Sequence, residues 1–127
     1  NISHSQNWVC IGFSEKKAIG VDLEFIKPRD LDRLAQRVFT KKEKEIFKNL
    51  NSKQKTKYFY ESWVKKEAYL KMTGRGLGGS MKTVDVRDIV IKTKKYITFS
   101  MLKLPAKIQK KAVACVCLGS DVNTASQ

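Results

Sequence analysis

The sequence predicts an α+β fold in which an antiparallel sheet carries helices packed on one face. Two observations support this class. Strand-like runs lie near both ends of the chain with helical segments between them, and 127 residues with 42% hydrophobic content suit one compact domain. We therefore expect residues 1–120 to form a single lobe and residues 121–127 to be a loose tail.

The first part of the chain predicts two strands that form a hairpin. Residues 8–13 are a short apolar run, and residues 18–24 alternate between apolar and other side chains with a period of two. A short polar turn joins the two runs, which is the usual connection of a hairpin.

Three helices are expected next, over residues 30–38, 40–50 and 53–73. Asp30 is a good N-cap for the first helix. Thr40 and Glu43 have the spacing of a capping box, in which each side chain satisfies a free backbone N–H group of the other residue. Gly74 suits the position just after the end of the third helix.

The last part of the chain predicts three more strands, over residues 83–91, 96–102 and 112–118. The third is apolar at nearly every position, so we expect it to be the central strand, covered on both faces. Two of the three cysteines, Cys115 and Cys117, lie in it, and Cys10 lies near the start of the chain. This spacing contains no zinc-binding pattern, so we predict reduced cysteines in the core of a cytoplasmic protein.

Charge indicates an anionic partner. Lys and Arg number 26 against 12 Asp and Glu, a net charge of +14. Nucleic acid, an anionic lipid, a phosphate-rich small molecule and an acidic protein all fit this balance, although many of the lysines would merely solubilise the surface. Lysine predominates, which makes sequence-specific DNA binding less attractive because base reading favours arginine. No stretch approaches the roughly 18 apolar residues of a membrane span.

Asp22 and Glu24 are two residues apart on a predicted strand, so their side chains leave the same face. Two carboxylates this close repel each other unless a cation lies between them, and Mg²⁺ prefers such oxygen ligands. The alternative is that both acids lie on the solvated face of an edge strand.

Glu67 lies in an apolar stripe of the third helix, one turn from Trp63 and beside Leu70. A carboxylate in that position costs free energy unless it is paired or coordinated. A simple ion pair with Lys71 on a wet helix face is the alternative. The glycine-rich residues 74–80 follow, and they could either approach phosphates or serve as a plain connector.

Three acids, two lysines and a glycine-rich loop suit the binding of a metal ion and a pyrophosphate. At this point the chain resembles the 4′-phosphopantetheinyl transferases. The opening Asn1-Ile-Ser-His4-Ser is similar to an element of the two-lobed class, the surfactin-synthetase-activating kind. The other motifs are Gly20-Val-Asp22-Leu-Glu24, Arg37-Val-Phe39-Thr-x-x-Glu43, and Trp63-x-x-Lys66-Glu67-Ala-x-x-Lys71 with Gly74-x-Gly76-Leu77.

The resemblance implies transfer of the 4′-phosphopantetheine arm of coenzyme A to a serine of an acidic acyl or peptidyl carrier protein, with release of 3′,5′-ADP. It implies that the Mg²⁺ ligands are Asp22, Glu24 and Glu67. Glu67 would also be the catalytic base, and Lys71 would contact the pyrophosphate and assist the leaving group. Lys66 and His4 would hold phosphates of coenzyme A.

The element beginning at Asn1 lies mid-chain in the two-lobed class, at the entry to the second lobe. The resemblance therefore implies that this chain is the C-terminal lobe of a longer enzyme. The alternative is self-association, with sites between subunits. Two other functions remain open from the residues alone, a Mg²⁺-dependent nuclease and a non-catalytic nucleic-acid-binding domain.

Overall fold

The computed structural model describes residues 1–74, 80–93 and 96–120. Its strands are β1 (Ile2–Ser5), β2 (Trp8–Ile11), β3 (Ala18–Phe25), β4 (Ile97–Met101) and β5 (Ala112–Gly119). Its α-helices are α1 (Leu31–Val38), α2 (Lys41–Lys48), α3 (Ser52–Met72) and α4 (Val86–Thr93), with a 3₁₀ turn at Met81–Thr83. The predicted tail and most of the glycine-rich loop lie outside the described residues.

The main sheet has the order β3-β5-β4, and both pairings are antiparallel. The prediction that residues 112–118 form the central strand is therefore confirmed. Helix α3 packs across the face of β3 and β5, where Val64 and Ala68 contact Cys115 and Cys117 in one buried cluster. The predicted α+β class, with an antiparallel sheet and helices on one face, is confirmed.

The opposite face of the sheet is covered as well. Leu23 and Phe25 of β3 and the alanines of β5 pack there against Ile108, which lies in the turn before β5. Trp8 of β2 joins this cluster from the side. Burial on both faces explains why the β5 sequence is apolar without alternation.

Gly20 sets how closely α3 approaches β3. A Cβ atom on this residue would lie 1.9 Å from the carbonyl oxygen of Ala68 and 2.6 Å from the backbone nitrogen of Met72. No side chain fits in that space, so only glycine permits this contact between helix and strand. Because Gly20, Asp22 and Glu24 alternate with Val21 and Leu23, the same strand face carries the acids toward α3.

The predicted hairpin between residues 8–13 and 18–24 is wrong. Strand β2 pairs with β1 in a separate two-stranded sheet, with Ser3 opposite Cys10 and His4 opposite Val9. Strand β3 instead pairs along its whole length with β5. The short turn between residues 8–13 and 18–24 favoured pairing of these neighbouring runs. Pairing with β5 instead gives β3 eight paired residues and a buried apolar surface.

The predicted strand at residues 83–91 is also wrong, because residues Val86–Thr93 are helical. The Asp85 carboxylate accepts a hydrogen bond of 2.9 Å from the backbone nitrogen of Asp88 and so begins the helix. Asp88 in the first turn and Lys92 in the last turn also suit the helix dipole. These end effects outweigh the preference of the β-branched residues for strands.

The predicted helix caps agree with the structure. Asp30 accepts from the backbone nitrogen of Arg33, and Thr40 and Glu43 form the full capping box. Gly74 has a positive φ of 72°, as expected after the end of α3. The cysteines Cys10, Cys115 and Cys117 are all free thiols.

Candidate active site

Asp22 lies at the centre of the contact between β3 and α3, and only 4% of its surface is exposed. Its Oδ1 atom accepts a hydrogen bond of 3.2 Å from Lys71 Nζ and one of 3.3 Å from Ser3 Oγ. Its Oδ2 atom is buried and has no hydrogen-bond partner among the described residues. One carboxylate oxygen is thus held in place while the other remains available for a ligand.

Burial raises the pKa of Asp22 above its usual value. The nearby Lys71 ammonium opposes this shift most strongly, and the bond from the Ser3 hydroxyl also opposes it. The raised pKa means that the surroundings do not fully compensate the charged form. A further cation beside this carboxylate would supply the missing compensation.

Glu24 and Glu67 belong to the same electrostatic neighbourhood. Burial raises the pKa of Glu24 to about 7, and the charges of Asp22 and Glu67 contribute to the increase. Burial likewise raises the pKa of Glu67, and the charge of Asp22 adds to it. The charge of Asp22 thus acts on both Glu24 and Glu67, which indicates that the two acids of β3 and the one acid of α3 lie near one another.

Trp63 forms part of the wall beside these acids. Its indole N–H group is buried and makes no hydrogen bond of standard geometry among the described residues, although it lies near enough to lower the pKa of Glu24. Its ring packs against Phe59 at a centroid distance of 5.5 Å. The indole N–H group is therefore a buried donor beside the Glu24 carboxylate.

Lys71 already places a positive charge among the acids. From the last turn of α3, its ammonium donates to Asp22 and, at 3.0 Å, to the backbone oxygen of Val21. Within the described ranges, no three acidic, histidine or cysteine side chains are arranged in the geometry of metal ligands. The carboxylates nevertheless fit a hard divalent cation by their oxygen donors, their mutual repulsion and the free Oδ2 atom of Asp22.

Lys66 lies elsewhere, inside the protein. It is fully buried and donates to the Glu43 carboxylate and to the backbone oxygens of Val38 and Met81. An ammonium group has three donors, and all three are used within the chain. This geometry gives Lys66 a structural role between α2, α3 and the 3₁₀ turn, rather than the predicted contact with a phosphate.

His4 lies on the face of β1 that is turned away from the acids. It is exposed on β1, whereas its neighbour Ser3 is buried and faces β3. Because alternate residues of a strand point to opposite faces, His4 projects away from Asp22. The structure thus brings together Asp22, Glu24, Glu67 and Lys71 and leaves His4 and Lys66 outside this group.

Two residues at the site were not predicted from the sequence. Asn1 Oδ1 accepts from the backbone nitrogen of Val21 at 2.9 Å, and Ser3 Oγ accepts from that of Leu23 at 3.0 Å. The period-two spacing of these polar residues was the available signal, because it directs the side chains of Asn1, just before β1, and of Ser3 toward β3. It went unused because residues 1–5 were not predicted to be a strand.

The fold and this group of acids define a known class. A family model described as the 4′-phosphopantetheinyl transferase superfamily matches residues 18–117, which include both β3 and α3. The chain belongs to this superfamily. The matched segment contains Asp22, Glu24, Glu67 and Lys71 but not β1.

Individual relatives agree with this assignment. The 4′-phosphopantetheinyl transferase HetI of Nostoc sp. is 45% identical over 78 residues, which are 61% of this chain and 33% of the relative. The 4′-phosphopantetheinyl transferase Sfp of Bacillus subtilis is 38% identical over 87 residues, or 68% of this chain and 38% of the relative. The alignments thus span only about a third of the length of these relatives.

Proposed function

We propose that this chain takes part in transferring the 4′-phosphopantetheine arm of coenzyme A to a serine of an acyl or peptidyl carrier protein, releasing 3′,5′-ADP. The observation that carries the proposal is the group of Asp22, Glu24, Glu67 and Lys71 at the contact between β3 and α3. Membership of the transferase superfamily and the names of the relatives support a phosphopantetheinyl transfer reaction.

Asp22, Glu24 and Glu67 would hold Mg²⁺. When bound there, the ion would neutralise negative charge on the pyrophosphate of coenzyme A and on the transferred phosphoryl group. Three oxygen ligands and a free Oδ2 atom on Asp22 suit this ion better than they would a softer metal. Lys71 would then leave Asp22, because the ammonium at Oδ1 and a metal ion at Oδ2 of the same carboxylate repel each other.

Glu67 would accept the proton of the carrier serine hydroxyl, directly or through a water molecule. Its raised pKa suits a general base, since it brings the carboxylate closer to neutral pH. The serine oxygen would form a bond to the phosphorus that carries the pantetheine arm. The bond from this phosphorus to the bridging oxygen would break, and that oxygen would leave on 3′,5′-ADP.

Lys71 would stabilise the negative charge on the leaving pyrophosphate oxygen. Its side chain is 27% exposed, so it can reach a ligand at the rim of the site. His4, exposed on β1, would contact another phosphate of coenzyme A if the substrate extends past that strand. We do not assign a phosphate to Lys66, whose three donors are all used inside the chain.

The carrier protein is proposed to be acidic. The net charge of +14 would attract such a partner and also coenzyme A, and it would speed their encounter at low salt. We place the reaction in the cytoplasm, in keeping with three free thiols. In the described part of the chain, no helix has the length and apolar content needed to cross a bilayer.

We also propose that this chain is one lobe of a larger catalytic unit. Apart from His4, the exposed face of the β1–β2 sheet is apolar: Ile2, Val9 and Ile11 are each at least 60% exposed, and Phe13 beyond the strand is 90% exposed. Residues 1–13 contain no Asp, Glu, Lys or Arg, in a chain that is 30% charged. Such a surface is typical of one that another folded part covers, and the longer relatives have room for one.

The test is a transfer assay with the protein, Mg²⁺, coenzyme A and an apo carrier protein, followed by mass spectrometry of the carrier. We expect a mass increase of one phosphopantetheine group that chelation of Mg²⁺ prevents. Because the isolated lobe lacks its proposed partner, the assay is also run with the complete catalytic unit. If the carrier remains unmodified by that unit across several carrier proteins, the proposed function is wrong.

A further inference from the structure

Among the described residues, no strand pairs through backbone hydrogen bonds with one of the two edges of β3. Its other edge pairs with β5, and the backbone nitrogens of Val21 and Leu23 point away from β5. Both nitrogens donate instead to side chains that precede or belong to β1: Val21 to Asn1 Oδ1 and Leu23 to Ser3 Oγ. Asp22 lies between these two attachment points.

The Ser3 hydroxyl joins this edge to the Asp22 carboxylate. It accepts from the Leu23 nitrogen at 3.0 Å and donates to Asp22 Oδ1 at 3.3 Å. A hydroxyl has a single proton, so the bond from Leu23 leaves that proton free for the carboxylate. Ser3 is 6% exposed, and water therefore competes little for either bond.

Ser3 differs from Lys71, the other partner of Asp22 Oδ1. Lys71 has a long side chain that is partly exposed, and the proposed function requires it to leave Asp22 when the metal binds. Ser3 has a short side chain fixed to the backbone of β3. Of these two partners, Ser3 is the one that can hold Oδ1 in both states, which leaves the unpartnered Oδ2 for the metal.

We propose that Ser3 is a positioning residue for the divalent cation site and that Asn1 supports it by fixing the register of β1 on β3. The inference rests on the metal ligands named in the proposed function and adds a residue that lies outside the segment matched by the family model. Groups that orient a metal ligand commonly change metal affinity by about 10- to 100-fold when they are removed.

The test compares Ser3→Ala with the wild type in the complete protein, using Mn²⁺ as a spectroscopic probe for the Mg²⁺ site. We expect about 10- to 100-fold weaker Mn²⁺ binding by electron paramagnetic resonance. Ser3→Thr keeps the hydroxyl and should retain most of the affinity. Ser5→Ala is the matched control, since Ser5 lies on the same strand and makes no side-chain hydrogen bond among the described residues.

A second measurement needs no metal. In the presence of a chelator, backbone hydrogen exchange at Leu23 should be faster in Ser3→Ala, because its amide loses the Ser3 acceptor. Exchange at Val21 should change less, because its amide donates to Asn1. If Ser3→Ala does not fold, Ser3→Cys takes its place, because a thiol has similar size but forms weaker hydrogen bonds.

Equal Mn²⁺ affinity in the wild type, the Ser3 variants and Ser5→Ala would overturn the inference, and so would the absence of Mn²⁺ binding by the wild type. Failure of the proposed function has a different signature: Mn²⁺ binds and depends on Ser3, but no carrier protein is modified. The two failures are therefore distinguishable in the same preparations.

Discussion

The Lys71 ammonium lies 3.2 Å from Asp22 Oδ1 and joins the end of helix α3 to the middle of strand β3. The two residues are far apart in the sequence, and the sequence alone offered a pair between Lys71 and Glu67 within the helix only as an alternative. The cation compensates part of the charge that three buried or half-buried acids place in this site. Metal binding and release of Lys71 are thus expected to be coupled.

Replacing Asp22 should greatly reduce activity but leave stability almost unchanged. We expect Asp22→Asn to lower transfer by at least about 100-fold, the size of effect seen when one preorganised electrostatic group is lost. The free energy of unfolding in chelator should change by no more than about 1 kcal/mol, since the amide removes a buried charge and Lys71 retains access to water. Transfer assays and urea unfolding measure the two effects.

The matched control for this variant is Asp32→Asn. Asp32 also pairs with a lysine, Lys55, but its side chain is 73% exposed and lies on α1. Neither activity nor stability should change appreciably. Undiminished transfer by Asp22→Asn would contradict the proposed role of Asp22.

Mg²⁺ binding should strengthen as the pH rises toward 7. The pKa of Glu24 is raised to about 7, so below that pH the carboxyl group holds a proton that a cation must displace. We expect affinity to rise about tenfold per pH unit between about pH 5 and 7 and then to level off. Titration calorimetry at several pH values measures this, and Glu24→Gln should flatten the profile.

The same raised pKa of Glu24 makes the stability of the metal-free chain fall, rather than rise, with increasing pH. In the unfolded chain Glu24 loses its proton near the usual glutamate pKa of 4.5, whereas in the folded chain it keeps the proton to about pH 7. Between these values the folded state binds more protons, so the free energy of unfolding falls as the pH rises. A metal-free stability that rises across this window in the wild type but not in Glu24→Gln would show that Glu24 is not perturbed in this way.

Gly20→Ala should force apart strand β3 and helix α3, which carry the two halves of the site. The added methyl group would meet backbone atoms of Ala68 and Met72 at 1.9 and 2.6 Å, which cannot move independently of α3. We expect a loss of at least about 3 kcal/mol in the free energy of unfolding. Gly12→Ala is the control: its nearest contact, also at 2.6 Å, is a side-chain atom of Val21 rather than a backbone atom, so we expect a smaller loss. Equal losses would argue against a backbone clash at Gly20.

Lys66→Met should reduce stability rather than coenzyme A binding. The variant leaves Glu43 buried without its cation, and breaking a buried pair costs about 3–5 kcal/mol. Adding Glu43→Gln should restore part of the loss, because the amide oxygen can still cap Thr40 without a charge. Lys65→Met is the neighbouring control. A stable Lys66→Met protein with a raised KM for coenzyme A would instead favour the phosphate contact predicted from the resemblance.

Several parts of the fold could be predicted because their causes are local. The Thr40–Glu43 capping box, the Asp30 cap and the glycine after α3 each act within a few residues. The apolar character of β5 also predicted its central position, since burial on both faces leaves a direct trace in composition. Strand pairing and the helix at Val86–Thr93 were missed because the choice of partner and the first turn of a helix depend on the surrounding packing.

The sequence by itself determined the family and the residues expected to do its chemistry, because spaced motifs preserve residue type and order. Only the tertiary structure decided which of those residues meet. In the folded chain Lys71 contacts Asp22, and Ser3 donates a hydrogen bond to a carboxylate oxygen of Asp22. All three donors of Lys66 are occupied inside the protein. The physical reason is that burial and hydrogen-bond partners arise from contacts between distant segments, and these contacts decide whether a charged side chain is available to a ligand or used by the fold.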